Sequence, residues 1–257
     1  MTQSRRSWPR SLLQLAIAGL AFAPAATAHA DPYDHVTLGL GAAAFPLYQG
    51  ADELRVLPTP VVDIEYGRFF AQVVGDGVGV NIIDTPHFQT GVALALMLGY
   101  REGDVPRGIG KLDSTLGARA HVAGQLAGLQ ANLSVVHAML GGDYEGMVVN
   151  GRLSYPLWLG RVTVNPSVGV GWADGRYMRR YFGVNADQAL ASGLAEYRPS
   201  SGFKDIKASV GVFYNLTDQI SLLAIAVVGR NLDEVTDSPF VESRWQPVGV
   251  LGTAYTF

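Results

Sequence analysis

One serine and one histidine are spaced so that they can meet. Ala127-Gly128 reads as a two-residue turn between two alternating runs. Pairing Leu126 with Leu129 across that turn sets His121 opposite Ser134, both on the polar parity of their strands. An imidazole beside a serine hydroxyl is a base beside a nucleophile, the arrangement that acyl transfer uses. His137 does not serve Ser134, because a spacing of three residues puts two side chains on opposite faces of a strand. The sequence places no carboxylate to orient His121, and the chain contains no G-x-S-x-G. A structural hydrogen bond accounts for the pair without catalysis, so no catalytic residue is assigned and the protein is not expected to be an enzyme. His35 and His87 stand near strand ends and form no ligand spacing, and there is no cysteine. Disulfides and thiolate metal sites are thereby excluded, and neither a metal nor another cofactor is expected.

Six charged residues share the polar parity with His121 and Ser134: Arg55, Asp63, Glu65, Arg101, Arg119 and Arg152. On the inner face of a barrel such a mixed set has two uses. It neutralises itself in a closed lumen, or it sets the selectivity of an open one.

The elements that would position these residues are strands. The final run, Val248 to Phe257, puts Leu251, Thr253, Tyr255 and Phe257 on one parity and Val250, Gly252 and Ala254 on the other. Large and aromatic groups on one side with small groups on the other suit a wall between lipid and lumen. Tyr255 and the terminal Phe257 have the form of an outer-membrane assembly signal. Phe88 to Tyr100 alternates most cleanly, with aromatics at both ends of the apolar face where interfacial girdles belong. Counting along the chain gives about twelve strands, with ten as the alternative. Pro58 and Pro60 predict a bulge or irregular pairing in the second strand, and the eleventh, from Gln219 to Asn231, is apolar on both parities, so its faces cannot be assigned. Tight connections at Gly67-Arg68, Ala127-Gly128, Leu159-Gly160 and Thr217-Asp218 alternate with long ones near 45–54, 102–112, 173–203 and 232–242. The expected fold is all-β, a transmembrane antiparallel barrel with short periplasmic turns and long extracellular loops.

Two further segments depart from the strand pattern. Arg5, Arg6 and Arg10 precede the apolar run Leu12 to Ala23, and Ala28-His29-Ala30 follows. This is the order of a secretory signal, so residues 1–30 are expected to be removed, by cleavage after Ala30 or Ala28, leaving 31–257 as the barrel domain of the outer membrane. The remainder carries 16 basic against 22 acidic residues, which excludes a basic nucleic-acid footprint. In the longest loop, Asn185 stands as an N-cap with Gln188 in the capping-box position. A short helix is predicted from Ala186 to Ala191, ended or weakened by Gly193. Its face Ala186/Leu190/Leu194 should rest on Tyr177, Tyr181, Phe182 and Tyr197 as a cap over the mouth.

Three stretches carry a family resemblance: Arg55-Val-Leu-Pro-Thr-Pro through Tyr66-Gly-Arg-Phe-Phe70 to Gly79; Tyr181-Phe-Gly-Val-Asn-Ala-Asp-Gln through Tyr197 with Gly202-Phe-Lys-Asp205; and Asp237-Ser-Pro239. With them, nearly all of 31–257 resembles the MipA/OmpV family of outer-membrane proteins, the MltA-interacting protein group. The resemblance implies contact with outer-membrane lipids and the barrel-assembly machinery. For one member it implies a scaffold between a murein transglycosylase and a murein synthase. It supplies no catalytic residues. The leading reading is thus a scaffold or interaction protein, followed by a small-solute pore or ligand-binding barrel, with an outer-membrane hydrolase last. Short periplasmic turns are a difficulty for the first, because a specific interface needs roughly 800 Å² from each partner.

Overall fold

The computed structural model describes residues 34–73, 77–140 and 146–257. The secretory signal expected over 1–30, and the turn residues Gly75-Asp76 and Gly141-Gly142-Asp143, lie outside these residues. The strands are β1 (His35–Pro46), β2 (Leu54–Tyr66), β3 (Phe69–Gln72), β4 (Gly77–Thr85), β5 (Phe88–Met97), β6 (Thr115–Leu126), β7 (Leu129–Leu140), β8 (Met147–Ser154), β9 (Leu157–Leu159), β10 (Val162–Ala173), β11 (Gly202–Asn215), β12 (Ile220–Asn231) and β13 (Trp245–Thr256). β8 and β9 are one stave, interrupted at Tyr155-Pro156, and both pair with β10. Every other strand pairs with its sequence neighbours, and β13 returns to β1. The result is a closed, antiparallel barrel of twelve staves.

Alternation places the side chains. Val92, Leu94 and Leu96 are exposed on the outside, whereas Gly91, Ala93 and Met97 are buried toward the lumen. In β13, Leu251 and Tyr255 face out, and Val250 and Ala254 face in. β12 is apolar on both parities because its lumen face is apolar too. Leu223, Ile225 and Val227 pack inside the barrel with Ala43 and Val250. Other staves add polar groups to the inner face, among them Gln72, Arg119, Ser134 and Arg152.

Closure between β1 and β13 depends on two glycines. A Cβ on Gly39 would lie 2.1 Å from the Thr253 carbonyl oxygen, and one on Gly41 would lie 2.4 Å from that of Leu251. Only hydrogen side chains let the two strands run this close. The seam is finished by Phe257, whose N–H donates to the Val36 carbonyl at 3.0 Å, and by a contact of 2.8 Å between the Thr37 and Thr256 hydroxyls.

Three expectations are corrected. β2 shows no bulge at Pro58 or Pro60, since its pairing with β1 runs unbroken from Leu54 to Glu65; the irregular pairing is on its other side, where β3 meets only Asp63 to Tyr66. The clean alternation of the fifth strand extends in sequence to Tyr100, but the strand ends at Met97. Tyr100 leaves the wall, pairs with Leu112 in an isolated bridge and is buried instead of lying in a lipid-facing girdle. In the loop 174–201, the expected helix exists as α2 (Ala186–Ser192), with both halves of the Asn185/Gln188 capping box formed and Gly193 as its left-handed C-cap. Its Leu190, however, is 87% exposed. Of the expected face, Leu194, just past the helix, does pack against the cluster of Tyr177, Tyr181 and Phe182, and Ala189 joins it from the helix.

A second helix was not anticipated. α1 (Gly175–Phe182) starts at Asp174, whose side chain accepts from Tyr177 N at 2.8 Å. Tyr177 stacks on Tyr181 one turn later, with centroids 5.7 Å apart. A short helix, α3 (Asp233–Thr236), lies between β12 and β13.

Replacing Gly41 with valine should drive a side chain into the backbone of β13, a cost above the ~1–3 kcal/mol of ordinary overpacking. We expect loss of most of the heat-modifiable folded band on unboiled gels. Leu40→Val, on the exposed lipid face one residue away, should keep that band.

Candidate functional site

The barrel encloses a lumen that its long connections close at one end. Tyr48 comes from the β1–β2 connection, Tyr100 from β5–β6, Tyr181 and Phe182 from α1, and Phe240 from the β12–β13 connection. Their rings interlock. Tyr100 meets Tyr181 edge-on with centroids 5.4 Å apart, and Tyr48 lies 5.8 Å from Phe240. Each such aromatic pair is worth about 0.5–1.5 kcal/mol beyond burial. Phe182 and Met178 are fully buried.

Several polar atoms carried into this cluster have hydrogen-bond partners. Tyr48 Oη donates to the Phe240 carbonyl at 2.7 Å, Ser238 Oγ to the Phe182 carbonyl at 2.7 Å, and Tyr197 Oη to the Glu234 carbonyl at 2.8 Å. Gln49 N donates to Tyr181 Oη at 3.1 Å. Gln188 of α2 ties the β5–β6 connection in, donating to the Ile109 carbonyl at 2.7 Å. Burial disfavours ionised phenolates here. It holds Tyr48 and Tyr181 well above the usual tyrosine range and pushes Tyr100 up to about 12, against a lowering influence of Arg180. Tyr197 is also pushed up to about 12, by burial and then by Glu234 and Asp237.

Beneath the aromatic layer lies a buried charged network. A β-bulge at Lys204 breaks the alternation of β11 against β10, so Lys204 and Asp205 both turn inward. Lys204 Nζ donates to Asp205, and Lys207 Nζ lies 3.4 Å from the other carboxylate oxygen. Gln49 Nε2 donates to Asp205 Oδ2 and to Asn231 Oδ1, both at 2.9 Å. Gly171 leaves the room, since a Cβ there would stand 2.8 Å from Asp205 Oδ1. Buried charge is tolerated when paired and hydrogen-bonded in this way. The network fastens the β1–β2 connection to the wall.

Below it opens a cavity of ≈ 710 Å³. Of the residues that the sequence singles out, Arg55, Arg101, Arg119, Ser134 and Arg152 line it. Arg55 binds Asp104 Oδ1 at 2.6 Å. Arg101 is not on a strand; it precedes the 3-10 turn Glu102–Asp104 in the β5–β6 connection, and its side chain is exposed. Arg119 is buried. Asp63, Glu65 and His121 do not line the cavity. Asp63 accepts from Gln72 Nε2 at 3.0 Å and lies 3.4 Å from His35 Nε2, while Glu65 pairs in register with His35. His121 does stand opposite Ser134, and both are buried. Its Nε2 lies 3.3 Å from Asn81 Oδ1, and its ring meets Phe70 edge-on at 5.7 Å. With Nε2 turned to Asn81, the lone pair of the neutral ring lies on Nδ1, and that nitrogen forms no hydrogen bond to the Ser134 hydroxyl, as a general base would. Tyr255 and Phe257 lie on the outside, with ring centroids 4.8 Å apart. Sequence reasoning missed Gln49, Lys204, Asp205, Lys207 and Asn231. The one signal for them was Lys204-Asp205 within the stretch quoted above for its family likeness.

Comparison with known proteins gives consistent results. The family model described as MltA-interacting protein MipA matches residues 38–257. The MltA-interacting protein of Escherichia coli strain K12 is 28% identical over 258 residues, covering 95% of this chain and 97% of that one. The putative outer membrane protein YiaT of the same strain is 27% identical over 109 residues, 42% of this chain and 44% of that one. Among solved structures, the outer membrane channel DcaP of Acinetobacter baumannii aligns over 87% of this chain and 96% of its own with 12% identity and a TM-score of 0.39. A Pseudomonas aeruginosa FadL homologue aligns over 88% and 90% with 8% identity and a TM-score of 0.42. The sequence match over nearly the whole of the described barrel makes the assignment: this chain belongs to the MltA-interacting protein MipA family.

Proposed function

We propose that the protein is a closed outer-membrane barrel that acts as an interaction partner of a murein-processing enzyme. The observation that carries the reading is the aromatic layer across the lumen, built from four separate connections and hydrogen-bonded at Tyr48, Tyr181 and Ser238. A barrel sealed in this way is suited to presenting a surface more than to passing solutes. The partner class follows the name of the Escherichia coli relative, an MltA-interacting protein over almost its full length. Residues 1–30 serve in this reading as the export signal, and Tyr255 and Phe257 as the mark for the assembly machinery. The turns at Gly67-Arg68, Ala127-Gly128 and Gly160-Arg161 are too small to dock a partner singly. An enzyme partner therefore spans several turns of the rim at once.

One observation favours a second reading, a ligand-binding or solute-passing barrel: the cavity of ≈ 710 Å³ under the aromatic layer. Three assays separate the readings. Folded protein immobilised in detergent should retain a murein transglycosylase, whereas the heat-unfolded protein should not. Wild-type protein in planar bilayers should show little steady conductance, and the triple variant Tyr100→Ala, Tyr181→Ala, Phe240→Ala should show discrete steps. Large stable wild-type steps whose charge selectivity changes on Arg152→Glu would favour the pore. Hydrolysis of ester or lipid substrates is not expected; turnover lost on Ser134→Ala would restore the hydrolase.

The seal also has a pH signature. Folding raises the pKa of Tyr100 and Tyr197 to about 12, so the folded state holds these protons more tightly than the unfolded chain. Their contribution to stability is complete below the ordinary tyrosine value of about 10 and is lost as pH rises from there through about 12. Ultraviolet titration of tyrosinate should leave Tyr48, Tyr100, Tyr181 and Tyr197 protonated at about pH 11. A single transition of all tyrosines near the ordinary value would contradict a packed mouth.

A further inference from the structure

The wall between β2 and β5 is not a continuous sheet. β1 pairs with β2 along its length, but β3 answers it only from Asp63 to Tyr66. β4 meets β5 no further toward the long loops than Leu94. Among the described residues, no strand pairs with 54–61 of β2 on the side away from β1. A window therefore lies between that part of β2 and residues 95–97 of β5. The Arg55–Asp104 ion pair crosses its upper end and the β3–β4 hairpin bounds its lower end. It belongs to the outer half of the wall, because Leu54 adjoins a long connection and Tyr66 a tight turn.

The edge of the window has its own chemistry. Val73 N donates to the Val62 carbonyl at 3.2 Å, so the even-numbered residues of β2 turn their backbone polar groups to this side. Pro58 and Pro60 are even-numbered and bring no N–H to the open edge. They blunt it against pairing with another strand. Bare carbonyls in hydrocarbon are costly, and irregular backbone at membrane depth is found where it lines a cavity. The cavity does extend here. Its lining runs from Arg119, Asn150 and Arg152 in the lumen, through Leu57 at the window, to the outward-facing Leu94 and Leu96. Among the described residues, that lining holds seven basic and four acidic residues, in a chain whose net charge is −3.

We propose that this window admits a single-chain anionic amphiphile from the outer leaflet into the lumen. Arg119 and Arg152 hold the anionic head, and the chain lies along Leu57, Leu94 and Leu96. A volume of ≈ 710 Å³ suits one alkyl chain with its head and not a multi-chain lipid. The apolar side of the cavity opens toward lipid and the basic side lies within, so head and tail are oriented by what each must leave or find. This inference stands apart from the murein-enzyme reading, because a scaffold needs no window in its wall.

The test is photolabelling of the folded full-length barrel in zwitterionic nanodiscs with a diazirine-bearing palmitate, mapped by mass spectrometry. Label should appear both at the window, on Leu57 and Met97, and in the lumen, on Asn150. Excess palmitate should compete it away, whereas hexadecyltrimethylammonium should not. The double variant Arg119→Gln, Arg152→Gln, checked for its heat-modifiable band, should need about tenfold more palmitate to saturate lumen labelling. If that variant fails to fold, Arg152→Gln alone should show the same direction. Label confined to the outward Val78, Leu94 and Leu96 without saturation would mean lipid contact only and overturn the proposal. Label confined to the lumen would overturn entrance from the side. Equal competition by the cationic amphiphile would overturn the assigned head group.

Discussion

A backbone donor or acceptor that faces hydrocarbon must find its partner within the wall, and only one that lines a cavity can go without, because hydrocarbon offers none. That constraint explains why β13 has to return to β1, and the return depends on close approach at Gly39 and Gly41. The rest is organised by what closure permits. Once the ladder is circular, side chains alone decide what lies on either side of it. Leucines and aromatics on the outer parity meet lipid, and the inner parity is left to fill a lumen.

The lumen is filled unevenly. The middle of the β12, β13 and β1 wall is apolar inside, whereas β6, β7 and β8 present Arg119, Ser134 and Arg152. Toward the long loops, the Lys204–Asp205 network and then the aromatic layer shut the mouth. The two layers are joined at neighbouring residues. Tyr48 belongs to the aromatic cluster and Gln49 to the charged network, so one connection serves as the pin between them.

The staves were legible in the sequence because two different surroundings act on alternate residues. Leu94 and Ala93 could not exchange places. Where that pressure ceases, alternation misleads. Leu98 and Tyr100 continue the apolar parity after the wall has ended, and nothing local marks Met97 as the last strand residue. A bulge defeats parity in another way: Lys204 and Asp205 are adjacent, so strict alternation puts one of them in lipid. Pro58 and Pro60 were visible as an irregularity, but their cause is a missing neighbour on one side, which only the three-dimensional arrangement reveals. For α2, the capping box read correctly because it is a local interaction, while Leu190 was misplaced because the supporting surface comes from distant loops. α1 carried a signal that was overlooked, Asp174 as N-cap followed by Tyr177/Tyr181 and Met178/Phe182 at helical spacing.

The hydrogen bond from Tyr48 to the Phe240 carbonyl joins residues 192 positions apart. The first comes from the first hairpin and the second from the segment leading into the last strand. Such a contact cannot form early, since the entropy of so long a loop has to be overcome before the bond returns anything. Until β13 joins β1, the rings of the seal have no common place to meet and the nascent barrel is open to water. Sealing is thus the last event of folding, and it reports on the completeness of the wall. A chain whose final strand has not joined retains hydrated, protease-accessible loops on the face where the finished molecule presents a packed surface.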